Sequence, residues 1–181
     1  MPWAWTSWKN YWGNRRQVEI RIKYGKDNVG ADRYFEDYIP GTVEQFGAVS
    51  VDEGDIVAFG NQFDPQPFHI DAKAAADSEF GSLIASGWHT ASLTMGMLAR
   101  HYFSSASSLG SPGVTELRWL QPVYPGSRLF VRVTVIEARR SRSKPDRGIV
   151  ESFVQTLNQN HEVVLDLKAA NFIRCRQVSA S

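Results

Sequence analysis

Residues 63–71 read FDPQPFHID and gather Asp64, Gln66, Pro67 and His69 into one short stretch. A carboxylate and an imidazole are the side chains that take, give and hold protons, and the amide of Gln66 adds both a donor and an acceptor. The stretch is too polar for a core, and Pro65 and Pro67 make it too stiff for a casual linker. Proline also lowers the entropy lost when the chain between the acid and the imidazole is ordered. The chemistry such a pair suits is general acid–base work on a small molecule gripped between them. Each residue has a plainer reading too, because Asp before Pro is a common turn former and a lone His beside a helix is often structural.

The flanking elements must position this stretch. Residues 42–50 read as a strand, and DEGDIVAFGNQF then sets Ile56, Phe59 and Phe63 on one helical face, with Asp52 as N-cap. A second short helix is predicted after Asp71, whose carboxylate would cap AKAAAD. Residues 80–99, FGSLIASGWHTASLTMGMLA, contain no Asp, Glu, Lys or Arg. Their Ser, Thr and His content argues against a membrane span and for a helix buried nearly all round in a globular protein. Ala85, Ser86, Gly87, Ala91 and Thr94 would let a sheet approach that helix closely. The sheet comes from VTELRWL, RLFVRVTVIEA, GIVESFVQTL and EVVLDLKAANFI. The second of these alternates Leu129, Val131, Val133 and Val135 with Arg128, Arg132 and Thr134. The last alternates Val163, Leu165, Leu167 and Ala169 with Val164, Asp166 and Lys168. Helices followed by a meander of strands predict an α+β fold, a curved antiparallel sheet wrapped around one long apolar helix.

With 181 residues and 43% hydrophobic positions, the chain supports one core. Three units are predicted: residues 1–33, a Trp-rich extension with an added strand in QVEIRIKYG; 34–176, the single domain; and 177–181, a tail. Trp3, Trp5, Trp8 and Trp12 crowd the first segment, and an arm packing on its own domain or on a partner subunit is favoured over an interfacial membrane anchor. Lys plus Arg number 20 against 19 Asp plus Glu, which gives no electrostatic reason for a nucleic-acid partner. The single Cys175 forbids an internal disulfide, and the first residues lack a secretory pattern, so a reducing cytoplasm is expected. His101 and His161 have no partners at metal-ligand spacing, and neither a HExxH, a GxSxG nor a phosphate loop is present; no metal and no cofactor are expected. His89 reads first as a hydrogen-bonded core histidine. Arg139, Arg140, Arg142, Lys144 and Arg147 near a hairpin tip read either as a solvated turn or as a phosphate-attracting patch.

The order of helix, DPQPFH, short helix, GWHTASLTMGML and LRWLQPVYPGSRLFV resembles the MaoC-like dehydratases, the hot-dog-fold group that includes (R)-specific enoyl-CoA hydratases. The resemblance covers about Tyr34 to Arg174. The family motif of Asp, Asn, Pro and His falls on Asp64, Gln66, Pro67 and His69. Gln66 stands where Asn is usual, and Phe63 where Gly commonly precedes the Asp. The resemblance implies that Asp64 and His69 jointly grip the water added to a 2-enoyl thioester. It places the thioester oxygen at Gly87, where the free N–H groups and dipole of a helix start favour an anion. Pro67, Gln66 and Ser86, which stands where His is often found, would support the pair. The implied substrate is an acyl-CoA thioester with no further cofactor, and the implied assembly is a homodimer. A hot-dog thioesterase, with Asp64 activating water against the carbonyl, and a non-catalytic acyl-thioester-binding subunit are the alternatives.

Overall fold

The computed structural model describes residues 20–22 and 32–176, with only the backbone of 20–22. Six strands line up in the order β1-β2-β4-β5-β6-β3. They are β1 Ile20–Ile22, β2 Val43–Ser50, β3 Gly113–Trp119, β4 Arg128–Arg140, β5 Arg147–Leu157 and β6 Val163–Arg174. The five from β2 to β6 are antiparallel to their neighbours, and β1 lies parallel to β2 at one edge. Four helices, α1 Glu53–Phe63, α2 Pro67–Ile70, α3 Ala72–Ala76 and α4 Gly87–His101, fall between β2 and β3. This is the hot-dog arrangement, with α4 lying along the concave side of the sheet. The predicted tryptophan arm at residues 3–12 and the tail at 177–181 lie outside the described residues; of the strand expected in QVEIRIKYG, the pairing of Ile20–Ile22 with Val43–Gln45 is seen.

The period-two pattern of β4 does what it predicts: Leu129, Val131, Val133 and Val135 are all sealed in the core, at 2% exposure or less. Val150 and Val154 from β5 and Leu165 and Ile173 from β6 join them, and Met97 and Leu98 of α4 pack from above. Strand β6 departs from its expected alternation, because Val164 and Asp166, predicted to face outward, are buried. The edge strand explains both. Arg118 of β3 clasps Asp166 through two 2.8 Å bonds, and the chain after β3 folds over Val164, whose carbonyl accepts the Leu120 N–H.

Helix α4 also corrects the expectation of burial nearly all round. It begins at Gly87, so the first part of the uncharged run is loop, and Trp88 and Met95 are half exposed, at 58% and 50%. One curved sheet covers one side of a helix; the other side of α4 keeps its apolar character without a cover from the described residues. Where α4 meets β2, Gly47 lies against Met97. A Cβ there would lie 2.6 Å from the Met97 sulfur, and φ of +98° at a break in register demands glycine in any case. Among the described residues no helix is long and apolar enough to cross a membrane.

Candidate active site

Helix α1 starts as predicted, with the Asp52 carboxylate accepting the Gly54 N–H at 2.8 Å. Its buried side is Ile56 and Gly60, whereas Phe63, predicted for that face, is 63% exposed, its ring tilted against Phe59 at 4.9 Å. Phe63 is the last residue of the helix, where the chain turns off at Asp64. Asp64 closes it as C-cap, with its N–H on the Gly60 carbonyl at 2.9 Å.

The two prolines then act on the residues before them. A residue preceding proline is pushed out of the helical region, and Asp64 (φ −150°, ψ 70°) and Gln66 (φ −82°, ψ 142°) both obey. Pro67 occupies the first position of α2, where its missing N–H costs nothing. This one-turn helix, unforeseen in the sequence reading, swings His69 back to face Asp64. Asp71 follows as the N-cap of α3, accepting from the Lys73 and Ala74 N–H groups.

His69 is 4% exposed, and its Nδ1 lies 2.8 Å from the Ile84 carbonyl. A carbonyl can only accept, so Nδ1 carries the proton and Nε2 points at Asp64 Oδ2, 3.3 Å away. A carboxylate and an imidazole lone pair are both acceptors. At this separation nothing fits between them, so the pair calls for a donor that bridges both from the open side, such as a water, or for a proton on the imidazole.

The Asp64 carboxylate is held from its far side as well. Gln66 Nε2 donates to Oδ1 at 2.8 Å and the Ser86 hydroxyl donates to Oδ2 at 2.7 Å. These bonds, Ser86 first and Gln66 second, outweigh burial and hold the carboxyl below its usual range, with the nearby imidazole adding to the effect.

Ser86 is 1% exposed and is also the N-cap of α4, its oxygen accepting the Trp88 N–H at 3.2 Å. Gly87 is therefore the first helical residue, with its N–H outside the cap bond and at the positive end of a 15-residue helix. A Cβ at Gly87 would sit 2.5 Å from the Trp119 indole, so any larger residue must displace that ring. Trp119 in turn meets Trp88 edge to face at 5.1 Å.

Asp64, Gln66, His69 and Ser86 are thus brought together by direct contacts, with Gly87 adjoining them; Pro67 acts through the backbone. Trp119 went unread as a site residue, because nothing local in LRWLQP ties it to Gly87, 32 residues earlier in the chain. His89 differs from its first reading. Its Nδ1 is buried without a hydrogen-bond partner among the described residues, its ring stacks flat on Phe59 at 4.8 Å, and burial lowers its basicity.

The arginine-rich hairpin sits elsewhere. Arg140 pairs with Glu36 and Arg147 with Asp146, at 2.7 and 2.8 Å. The tip lies beyond the C-terminal end of α4, where Tyr102 bonds Ser152 of β5, about 22 Å from the Ser86 end at 1.5 Å per helical residue. Within one chain that favours the solvated turn. Among the described residues no group of three or more His, Cys, Asp or Glu is placed to hold a metal ion.

The MaoC like domain family matches residues 34–156. The crystal structure of a MaoC-like dehydratase from Rhodospirillum rubrum superposes with a TM-score of 0.75 at 40% identity, covering 81% of this chain and all of that one. The R-hydratase PhaJ1 from Pseudomonas aeruginosa shares the fold, with a TM-score of 0.65 at 24% identity over 82% of this chain and 91% of its own. The uncharacterized protein YdeM of Bacillus subtilis is 27% identical over 131 residues, 72% of this chain and 92% of its length.

Proposed function

The chain belongs to the MaoC-like domain family, and on that basis we propose that it is an (R)-specific enoyl-CoA hydratase/dehydratase, reversibly adding water to a 2-enoyl-CoA to give the 3-hydroxyacyl-CoA. The observation that carries the reading is the Asp64–His69 pair, two acceptors 3.3 Å apart at the contact, set beside the first N–H of α4. A water donating one hydrogen to Asp64 and one to His69 Nε2 presents its lone pair outward, toward a β-carbon. As oxygen bonds to that carbon, charge collects on the thioester oxygen, for which the Gly87 N–H and the α4 dipole are the proposed oxyanion donors. Membership of a group with (R)-hydratase fold relatives supports the reaction type and its stereochemistry. The working unit is a homodimer, with the exposed aromatic side chains near Gly87 lying at the subunit contact.

The test is loss of the conjugated enoyl-thioester absorbance on crotonyl-CoA and on longer, branched and aromatic enoyl-CoAs. Asp64→Asn and His69→Ala are each expected to lower turnover by roughly 10²–10⁴, the usual worth of acid–base catalysis, with far-UV circular dichroism unchanged. Full activity in either variant overturns the assignment. Release of free thiol would show a thioesterase instead, and tight acyl-CoA binding without turnover, insensitive to Asp64→Asn, a binding subunit.

A further inference from the structure

Both oxygens of Asp64 already accept a hydrogen bond from the protein, Oδ1 from Gln66 Nε2 at 2.8 Å and Oδ2 from Ser86 Oγ at 2.7 Å. The direction of the serine proton is fixed by its surroundings. Ser86 Oγ accepts the Trp88 N–H, and a carboxylate can only accept, so the hydroxyl hydrogen must lie on the line to Asp64. Protonating Asp64 would remove the charge that strengthens both bonds and would use up the lone pair left for the water. His69 has the opposite arrangement: its Nδ1–H is tied to the Ile84 carbonyl, a partner that welcomes a charged ring, while Nε2 faces the site.

We propose that Ser86 is a positioning residue which, with Gln66, locks Asp64 as an ionised, fixed acceptor, so that His69 alone carries the proton exchanged with the substrate. The second half rests on the hydratase reading above; the first does not. In the hydration direction one water O–H breaks as its oxygen bonds to the β-carbon, and that proton passes to His69 Nε2. The π pair moves onto the thioester oxygen. It returns as the α-carbon takes the same proton back from the imidazolium, leaving His69 neutral. The second water hydrogen stays on the new hydroxyl, bonded to Asp64 throughout. Water is the only reagent consumed.

Gln66 has a definite part in this. It is the N-cap of α2 by position, yet its side chain makes no cap bond and turns back to Asp64 instead. The Ser86 oxygen links two catalytic requirements, since one atom both caps the helix that presents the Gly87 N–H and holds the carboxylate that holds the water.

The groups facing Asp64 are few: His69 from α2, the Ser86 hydroxyl from α4 and the amide of Gln66. The acids of α1, Glu53 and Asp55, lie in its first turn at the far end of the helix. Asp64 is held below the ordinary aspartate range chiefly by Ser86, then by Gln66.

The experiment is a carbon-13 NMR titration of the Asp64 carboxyl in the full chain without substrate, in the wild type, Ser86→Ala, Ser86→Thr and Gln66→Ala. Expected are a move of the Asp64 titration to higher pH in Ser86→Ala and in Gln66→Ala, and retention of the wild-type curve in Ser86→Thr, which keeps the hydroxyl. The acidic limb of kcat/KM for hydration should lie above the Asp64 titration in the wild type. In Ser86→Ala, kcat/KM should fall about tenfold or more, the worth of one hydrogen bond to a charged group. Loss of the helix cap alone would lower the melting temperature without moving the Asp64 curve. An unchanged Asp64 titration in a folded Ser86→Ala overturns the lock, and an acidic limb that coincides with the Asp64 titration overturns the sole role of His69. Should no enoyl thioester react, the titration still reads the lock, so the two failures are distinguishable.

Discussion

Chemistry at Asp64 depends on bonds that come from separate places in the chain and on the atoms those bonds leave free. Ser86 and Gln66 occupy the two oxygens, Ile84 occupies His69 Nδ1, and the Ser86 cap takes the Trp88 N–H. What remains is the inward side of the carboxylate, Nε2, and the Gly87 N–H. Gly87 is the most constrained of these, because the Trp119 indole fills the space a side chain would need. Gly87→Ala should therefore push Trp119 aside and lower hydration kcat/KM, whereas Gly87→Ala/Trp119→Ala should recover part of the loss. Steady-state kinetics on the two single variants and the double variant gives the coupling directly. Strictly additive losses would mean that the methyl group blocks the N–H itself. Asp64, Pro67 and His69 were legible as a unit because their spacing is local; the contacts made by Gln66 and Ser86 were not, since a side chain's choice among several acceptors depends on the folded surroundings.

At the scale of elements, capping and periodicity carried most of the information. Asp52 and Asp71 cap the helices they were expected to cap, and β4 buries the side its alternation marks. The one-turn α2 escaped notice because a helix of four residues has no periodicity to read; its only signal was proline at the first position. Helix α4 is held to the sheet by a polar contact as well as an apolar one. Thr94 Oγ1 bonds Thr156 Oγ1 of β5 at 2.7 Å and the Thr90 carbonyl at 2.8 Å, and Thr94 and Thr156 are buried. Thr94→Val leaves the Thr156 hydroxyl unpaired in the core and should cost about 1–3 kcal/mol, while Thr94→Val/Thr156→Val should be closer to neutral. Urea unfolding of the three variants checks this, and equal losses for the single and double variants would show that the pair contributes little. Strand β6 shows the limit of alternation: Asp166 is polar and nonetheless buried, because Arg118 on the neighbouring edge strand satisfies both of its oxygens.

For the whole molecule the telling feature is where apolar surface is left over. Trp88 and Trp119 stand about half exposed beside the site, Met95 continues the open side of α4, and among the described residues β3 forms the sheet edge with β6 on one side only. An exposed apolar patch beside an open strand edge suits an interface. A second copy of the chain is the proposed occupant. Sedimentation velocity should then give twice the 20.4 kDa of the chain, and Met95→Glu should shift it toward one; a wild type that sediments as a single chain would refute the dimer. The α+β class, the inward face of β4, two of the helix caps and the Asp64/His69 grouping were readable along the chain, because period, caps and proline act over a few residues. It took the folded chain to bring His69 Nε2 to face Asp64, to close Ser86 on the carboxylate from 22 residues away, to lay Trp119 on Gly87, and to put the cationic hairpin at the opposite end of the sheet. Those outcomes depend on how a curved sheet folds its two ends around one helix, and no local pattern encodes which distant side chain arrives.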